Sequence, residues 1–376
     1  MLNYLWGFMI IIGVIYGAFT GNVQAVADGA IECAKDAITL CITMLGVMSL
    51  WTGLMEIAEK SGLIMTCTKK IRPVMHWMFP NVPCEHESMK HMTTNVIANI
   101  LGLGWAATPA GLRAMESLAE LNGGSKKASD TMCAFLVINV SSLQLIPVNI
   151  IAYRSMYGSS NPTSIVAPAI LATTVSTLVA VIFCRIMYLS GRKLWRKRRF
   201  CMNVVVTVSG YIIPAVMLFI VIHGMIKKVN VYDEFVTGAK DGMKTVVSIA
   251  PTLVGLMMAV GVLRASGFLD MISGFIGKFT GKIGLPSPVI PLLIVRMFSS
   301  SAATGLTLDL FKEYGTDSLI GLIASIASSA TETIFFTISV YSVAAKITKT
   351  RWTLSGALIS TLAGIVSSVI LAMLMI

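Results

Sequence analysis

The sequence predicts an all-α, polytopic membrane protein built from two structural repeats. Hydrophobic residues make up 55% of the 376-residue chain and charged residues only 12%, whereas soluble domains carry about 25% charged residues. Several apolar runs approach the ~20 residues that a helix needs to cross a bilayer. A repeated order of short sequence signals is the third observation, and it is typical of transporter-like folds with a site where the halves meet.

The repeat rests on short motifs that occur twice in the same order. They are Ala-Lys-Asp at 34–36 and 239–241, Ser-Gly at 61–62 and 266–267, Ala-Ala-Thr at 106–108 and 302–304, and Ser-Ser at 141–142 and 328–329. Each match is weak alone, but four in one order are not expected by chance. We therefore divide the chain into a first repeat, residues 1–200, and a second, residues 201–376.

Each repeat is predicted to contain about four spanning helices, an interfacial helix and a broken or re-entrant helical element. The first-repeat segments are spans at 2–20, 37–55, 131–153 and 163–190, an interfacial stretch at 21–36, an amphipathic helix at 60–77 and a broken element at 92–121. The run 2–20 lacks the basic start of a signal peptide, which indicates a retained helix. Segment 60–77 mixes basic and apolar residues, as a helix in the headgroup plane does.

The second repeat is predicted to follow the same order. Its segments are spans at 203–226, 245–263, 318–345 and 353–376, an interfacial stretch at 231–241, a Gly-rich amphipathic stretch at 267–282 and a broken element at 288–314. Irregular backbone survives at membrane depth only when it is buried in protein or lines a wet cavity. We therefore expect the two interruptions, at 102–109 and 299–305, to meet near the middle of the membrane.

The net charge of +11 is concentrated in loops rather than on a folded face, so it indicates membrane orientation and not nucleic-acid binding. Six Lys or Arg at 191–200 predict a cytoplasmic loop in the bacterial inner membrane. Four full spans back from it, the N-terminus is also cytoplasmic. The same count puts Lys346 and Lys349 outside with Lys227 and Lys228, although short loops rich in Lys and Arg usually stay in the cytoplasm. Four spans per half would make the repeats parallel, and a broken element that crosses fully would make them inverted.

Sequence motifs for enzymes and metal sites are absent. The chain has no Walker loop, no HExxH and no GxSxG, and its seven cysteines form no CxxC pair. The group Cys84-Glu85-His86 with His91 fits no standard zinc spacing. We predict no enzymatic activity, no cofactor, no metal site and no disulfide framework.

Two charged residues inside apolar runs are the sharpest candidates for a functional site. Glu332 lies in the run 318–345, and an acid at the bilayer centre is costly unless it faces protein or water. It would bind a ligand, a cation or a proton, or it would pair with Arg296. Arg296, for its part, would pair with Glu332 or with loop carbonyls, or its planar guanidinium would recognise an anionic group.

Polar uncharged residues occupy comparable positions in the first repeat. Positions 139, 142, 146 and 149 would share one face of a continuous helix, and Asn95 and Asn99 are i, i+4 neighbours on the helix that enters the first break. Helix–helix hydrogen bonds are the alternative explanation for each of them. The full candidate set for substrate binding is Asn95, Asn99, Thr108, Asn139, Ser142, Gln144, Asn149, Arg296, Ser300, Ser301, Thr304, Ser329, Thr331 and Glu332.

At these residues the chain resembles known families. Residues 95–115 resemble spore maturation protein A, and residues 231–242, 264–267 and 312–318 resemble spore maturation protein B. The resemblance implies a natural fusion and a nucleoside-recognition "gate" domain, which concentrative nucleoside transporters and ferrous-iron transporters share. A Gln-Thr-Glu motif helps nucleoside transporters bind substrate, and residues 330–332 here read Ala-Thr-Glu. The cysteine on which the iron transporters rely near this position is absent.

These observations predict an inner-membrane, transporter-like protein that moves a small polar or anionic solute, nucleoside-like or carboxylate. The coupling ion would be H⁺ or Na⁺, because nothing in the chain resembles an ATPase. The alternatives are a non-transporting scaffold for spore-cortex or envelope maturation and, less favoured, a metal-ion permease. The expected partners are the solute, the coupling ion and the lipid bilayer, without nucleic acid, and assembly into a homo-oligomer stays open.

Overall fold

The computed structural model describes residues 2–83, 85–100, 104–142, 144–189, 209–269, 271, 274 and 285–376. The basic block 191–200, Cys84 and most of the Gly-rich stretch 267–282 therefore lie outside the described residues. Within the described part the chain is helical, and the extended contacts assigned there amount to one isolated bridge between Lys127 and Lys349.

The described helices fall into two groups, one in each half of the chain. Those of the first half are α1 (Leu2–Thr20), α2 (Val23–Lys60), α3 (Leu63–Met78), α4 (Glu87–Ile100), α5 (Gly104–Leu121), α6 (Asp130–Val140), α7 (Val148–Met156) and α8 (Val166–Leu189). Those of the second half are α9 (Ser209–Ile226), α10 (Val231–Ala265), α11 (Ile290–Phe298), α12 (Ser300–Tyr314), α13 (Leu319–Ala330), α14 (Ile334–Ala344) and α15 (Thr353–Met373).

Four segments of the described chain are long and apolar enough to cross a membrane: Val23–Lys60, Pro162–Tyr188, Leu319–Ala344 and Thr353–Met373. The predicted interfacial stretches 21–36 and 231–241 are not separate elements, because α2 and α10 run through them as helices of 38 and 35 residues. At ~1.5 Å per residue such helices exceed a ~30 Å hydrocarbon core. Their polar ends can therefore lie beyond it.

Both predicted broken elements are helical hairpins. In the first, α4 and α5 pack side by side, and the Asn95 side chain donates a hydrogen bond to the carbonyl of Ala107 (2.7 Å). In the second, α11 and α12 pack together around the extended residue Ser299, whose side chain accepts from the backbone N–H of Ala302 and so caps α12. A serine at this position satisfies one of the free N–H groups of a helix start.

Two predicted spans are interrupted, which corrects the sequence interpretation. The span 131–153 is α6 and α7 with a break at 141–147, and the span 318–345 is α13 and α14 with a break at 331–333. The shared helical face predicted for positions 139, 142, 146 and 149 therefore does not exist. Ile146 is buried in an apolar cluster and Asn149 is exposed at the start of α7.

Backbone pairing joins the loop after α5 to the loop after α14. The N–H of Ala128 donates to the carbonyl of Lys349 (3.0 Å), and the N–H of Thr348 donates to the carbonyl of Lys126 (2.9 Å). We call this side of the molecule, with loops 122–129 and 345–352, face 1. Lys346 and Lys349 therefore share a face with Lys126 and Lys127, which contradicts the side predicted for them by counting four spans.

The loop after α7 and the loop after α12 meet on the opposite side, which we call face 2. There Asp317 accepts hydrogen bonds from Arg154 and from Ser160. Because the first hairpin leads into a face 1 loop and the second into a face 2 loop, the two hairpins enter from opposite faces. The closing helices α8 and α15 are antiparallel, with Ser176 beside Ser360 and Phe183 beside Gly356. The two halves therefore run in opposite directions across the described part of the structure.

A long antiparallel pair, α2 and α10, completes the framework. Small residues allow close approach: a Cβ on Gly238 would lie 2.4 Å from the carbonyl oxygen of Thr52, and one on Gly261 would lie 2.5 Å from the Cys33 sulfur. Close backbone contact over small residues is typical of helix association in membranes. The first helix of each half crosses to the other, since α1 packs on α10 and α9 on α2.

Candidate functional site

The two helix breaks meet at the centre of the molecule. The Ser142 hydroxyl, in the first break, donates a hydrogen bond to Glu332 Oε1 in the second (3.5 Å). The end of α4, at the turn of the first hairpin, contacts the same region, because the N–H of Leu145 donates to the carbonyl of Ile100 (2.9 Å). The end of α11, at the turn of the second hairpin, contacts it through Arg296. The two breaks and the ends of α4 and α11 therefore converge on one place, while residues 102 and 103 of the predicted interruption 102–109 lie outside the described residues.

Arg296 caps the end of α13. Its Nη2 donates to the carbonyls of Ser328 (2.8 Å) and Thr331 (2.6 Å), and its Nε donates to the carbonyl of Thr331 (3.2 Å). The last carbonyls of a helix have no partner inside the helix and carry the negative end of its dipole. A guanidinium has several N–H donors for these carbonyls, and its positive charge offsets the negative end of the dipole. The structure thus shows the carbonyl contacts predicted for Arg296, together with a longer ion-pair contact to Glu332.

Glu332 is the more accessible of the two charged residues. Its side chain is 39% exposed and that of Arg296 is 11% exposed, and their closest nitrogen–oxygen distance is 4.0 Å. Such a distance is outside hydrogen-bond range. The carboxylate therefore lies near the positive charge of Arg296 without a direct hydrogen bond to it. Glu332 Oε2 also accepts weakly from the N–H of Thr333 (3.4 Å), at the start of α14. A helix start favours an anion through its dipole.

Neutral amides hold the first break to the first hairpin. Asn99 Nδ2 donates to Asn139 Oδ1 (3.1 Å), and Asn139 Nδ2 donates to the carbonyl of Phe135 (2.9 Å). Asn95 is fully buried and Asn139 is nearly so. These side chains largely satisfy one another and nearby carbonyls, which is the helix–helix alternative for this group.

Several other candidates make local hydrogen bonds. Four of them donate to a backbone carbonyl at most four residues away: Gln144 to Ile146, Thr304 to Ser300, Ser329 to Ser325 and Thr331 to Ala327. Ser300 lies by Arg296, whose Nη1 donates to its hydroxyl (3.0 Å). Thr108 lies in α5 and Ser301 in the first turn of α12. The structure therefore brings together Ser142, Arg296, Ser300, Thr331 and Glu332, and it leaves Asn149 exposed.

The sequence interpretation missed Tyr341, which closes one side of the first hairpin. A Cβ on Gly111 would lie 2.3 Å from the Tyr341 hydroxyl oxygen and 2.8 Å from Asn95 Nδ2. Glycine at 111 thus lets α14 of the second half pack against α5. A tyrosine inside the apolar run 334–344 was the available signal, but a single aromatic residue in such a run gives no indication of its partner.

A cavity of about 190 Å³ lies beside the amides, between α3, α4, α6 and α8. Its wall is mostly apolar, with Ile71, Met75 and Val181 among the lining residues, and Asn99 and Asn139 add polar groups. Among the described residues no group of three or more His, Cys, Asp and Glu side chains is arranged to hold a metal ion. The chemistry at the centre is that of one partly exposed carboxylate, one capped guanidinium and several hydroxyls.

Comparison with known proteins divides the chain into two parts. It is 40% identical over 193 residues to spore maturation protein A of Bacillus subtilis (strain 168), covering 51% of this chain and 98% of that protein. It is 38% identical over 174 residues to spore maturation protein B of the same organism, covering 46% of this chain and 98% of that protein. The two matches fall on different halves, and no family model matches the chain.

Comparison with solved structures finds only low similarity. The structure of CNTnw in an inward-facing substrate-bound state gives a TM-score of 0.49 at 12% identity, covering 98% of this chain and 90% of that chain. The structure of CNTnw N149S, E332A in an outward-facing state gives a TM-score of 0.43 at 13% identity, covering 99% and 91%.

Proposed function

This chain belongs to the spore maturation protein A and B families, one in each half, and we propose that it carries a small polar or anionic solute, nucleoside-like or carboxylate, across the bacterial cytoplasmic membrane. The observation that carries the proposal is the partly exposed Glu332 carboxylate at the crossing of two helix breaks. A carboxylate at that depth is costly unless it meets water, a solute or an ion.

The arrangement of backbone supports a carrier. Interrupted helices are stable in a membrane where protein or a wet cavity covers them. Inverted repeats with discontinuous helices at their interface are typical of secondary transporters, in which the substrate and the coupling ion bind near the middle of the membrane. Because the chain has no ATP-binding motif, we propose that H⁺ or Na⁺ drives the movement.

We further propose that face 1 is cytoplasmic. Its two short loops carry five exposed basic residues, Lys126, Lys127, Lys346, Lys349 and Arg351. The face 2 loops, 157–161 and 315–318, carry none. Short loops rich in Lys and Arg stay in the cytoplasm.

The first helix agrees with this orientation. It runs alongside α10, with Trp6 bonded to Gly255 and Thr20 bonded to Ser266. The end of α10 lies towards face 2, because the start of α2 beside it is tied to the last turns of α12 by Lys312 and Asp36. The α1 end near Trp6 therefore lies towards face 1, with the N-terminus in the cytoplasm.

Cysteine labelling in intact cells tests the orientation. In a background without reactive native cysteines, an impermeant thiol reagent should label Ser160→Cys on face 2 and leave Lys349→Cys unlabelled until the cells are opened. Labelling of Lys349→Cys alone would reverse the proposed topology.

Uptake by purified protein in proteoliposomes tests the transport proposal. Nucleosides and dicarboxylates would be supplied under an imposed pH or Na⁺ gradient. At least one class should accumulate in a saturable manner that depends on the gradient. The conservative variant Glu120→Gln, which changes an exposed acid in the first hairpin, should keep this activity. Folded protein that accumulates no solute and is not stabilised by any of them would contradict the proposal.

A non-transporting membrane scaffold is the second candidate, and the names of both relatives favour it because they describe spore maturation. A scaffold needs no solute site, so no solute should raise its melting temperature. A ligand that binds the folded state must raise it.

A further inference from the structure

We propose that the contact between the two halves is a self-sufficient protein–protein interface, so that a spore maturation protein A chain and a spore maturation protein B chain are partners in one complex. In this chain the covalent connection between the halves would be dispensable for holding them together. The proposal concerns assembly and does not depend on the proposed transport.

A buried arginine on face 2 supplies the first argument. Arg154, at the end of α7, is 0% exposed. Its Nη1 donates to the carbonyl of Thr316 (2.7 Å) and to the hydroxyl of Ser325 (3.2 Å), and its Nη2 donates to Asp317 Oδ1 (2.6 Å). The counter-charge and both partners of Nη1 belong to the second half. Without that half, the guanidinium would lose its counter-charge, which is strongly destabilising for a buried charge.

The dependence is mutual. Asp317 accepts hydrogen bonds from the Ser159 hydroxyl (2.6 Å) and from the N–H and hydroxyl of Ser160 (both 2.8 Å), all in the first half. Burial opposes ionisation of Asp317, but these hydrogen bonds and the charge of Arg154 outweigh it and hold the pKa of its carboxyl below its usual value. The loop that begins α13 is thus stabilised by residues of the other half.

Contacts between the two halves also hold them together on face 1. The backbone bridge between residues 126–128 and 348–349 joins the two halves. An ion pair beside it joins Arg351 Nη1 of the second half to Asp130 Oδ1 of the first (2.6 Å). Between the faces, α2 and α10 pack along most of their length. The interface therefore extends from one face of the molecule to the other, as in obligate complexes.

The comparisons supply an independent observation. Each of the two relatives is a separate protein, and this chain covers 98% of both. If each relative folds as the matching half does here, then each alone would expose the surface equivalent to this interface. The partner that fits such a surface is a chain of the complementary half.

Cleavage of the full chain tests the proposal. A site for a specific protease would be inserted between Arg198 and Arg199, with different affinity tags at the two ends. After purification in mild detergent and complete cleavage, both halves should elute together in size-exclusion chromatography and be recovered through either tag. Two separate peaks after cleavage would overturn the proposal.

Two arginine variants of the first half give a matched comparison in the cleaved protein. Arg154→Met removes contacts across the interface and should lower recovery of the second half at least tenfold. Arg185→Met removes contacts with Trp77 inside the first half and should leave recovery unchanged. Equal recovery for both variants would contradict the role given to Arg154.

A cross-linking test keeps Arg154 and its contacts, so it does not depend on whether the Arg154→Met variant folds. Lys127→Cys with Lys349→Cys places two thiols on the bridged backbone segments, close enough for a disulfide. After cleavage, oxidation should join the two halves on a non-reducing gel. The control pair Ser160→Cys with Lys349→Cys has its thiols on opposite faces and should not cross-link. Cross-linking of the control pair alone would overturn the arrangement.

Discussion

The two helix breaks share an architecture but differ in chemistry. Each follows a half-helix that ends near the middle of the molecule, and each has a hairpin beside it. The first break, 141–147, is held by the neutral amides of Asn99 and Asn139. The second, 331–333, is held by the Arg296 guanidinium and presents the Glu332 carboxylate.

This difference indicates that the first break has a structural role and the second a binding role. The neutral polar groups of the first break are largely occupied by one another, so they stabilise the framework. In the second break Arg296 donates to backbone carbonyls, whereas the hydrogen bonds of the Glu332 carboxylate with described residues are long, at 3.4 and 3.5 Å. Each half supplies one such break, and we propose that the binding chemistry lies in the second. The predictions below change one break at a time.

Arg296→Met should give the largest loss of stability. It removes a cation and leaves the carbonyls of Ser328 and Thr331 without partners, at a cost of about 2–4 kcal/mol for charge-assisted hydrogen bonds at a buried helix end. Thermal unfolding in detergent would measure it. The matched control is Arg113→Met on the exposed face of α5, which should be nearly neutral. A melting temperature equal to that of the control would show that α13 does not need this cap.

Asn139→Leu should give a smaller loss, because it removes only neutral hydrogen bonds. The amide accepts from Asn99 and donates to Phe135, and neutral hydrogen bonds contribute about 0.5–1.5 kcal/mol each. Unfolding of Asn149→Leu provides the comparison, since Asn149 is exposed and its replacement should stay within about 0.5 kcal/mol of wild type. If the two variants melt alike, the amide cluster has no framework role.

Ser142→Gly should raise stability slightly. Ser142 has φ 53°, a left-handed conformation that costs a residue with a Cβ about 1 kcal/mol and costs glycine little. The lost hydroxyl contact with Glu332 is long at 3.5 Å, so the gain should exceed the loss. Ser142→Ala loses the hydroxyl without the backbone relief and should melt lower than Ser142→Gly. The reverse order would mean that the hydroxyl contact outweighs the backbone strain.

The two charged residues of the candidate site could be singled out from the sequence, whereas the helix breaks around them were missed. Glu332 and Arg296 stand out because a charge inside an apolar run has few explanations. The breaks within 131–153 and 318–345 were missed, because apolar stretches on both sides of each made a single span the simpler interpretation, although polar residues and Pro147 lie inside the breaks. What ends α13 is Arg296, a residue 32 positions from Ser328 in the chain, and a contact at that separation leaves no local signal.

The side of the membrane on which each basic loop lies was also difficult to predict from the sequence. Counting four crossings in each half, with both broken elements taken as re-entrant, placed Lys346 and Lys349 opposite Lys126 and Lys127. Backbone pairing between the two loops puts all four on face 1. Both hairpins return to their own face in the structure, as that count assumed. The error therefore concerns how the two halves are oriented relative to each other, which hydropathy alone does not give.

The central claim is that the second break supplies the binding chemistry, and Glu332→Gln tests it most directly. The measurement is the rise in melting temperature that a transported solute, found in the uptake screen, produces in wild type and in this variant. Without solute the two proteins should melt alike, because the carboxylate is 39% exposed and the Arg296 charge is 4.0 Å away. With solute, wild type should be stabilised and Glu332→Gln should not, while Asn149→Leu in the first half keeps the response. An undiminished rise in Glu332→Gln would contradict the account.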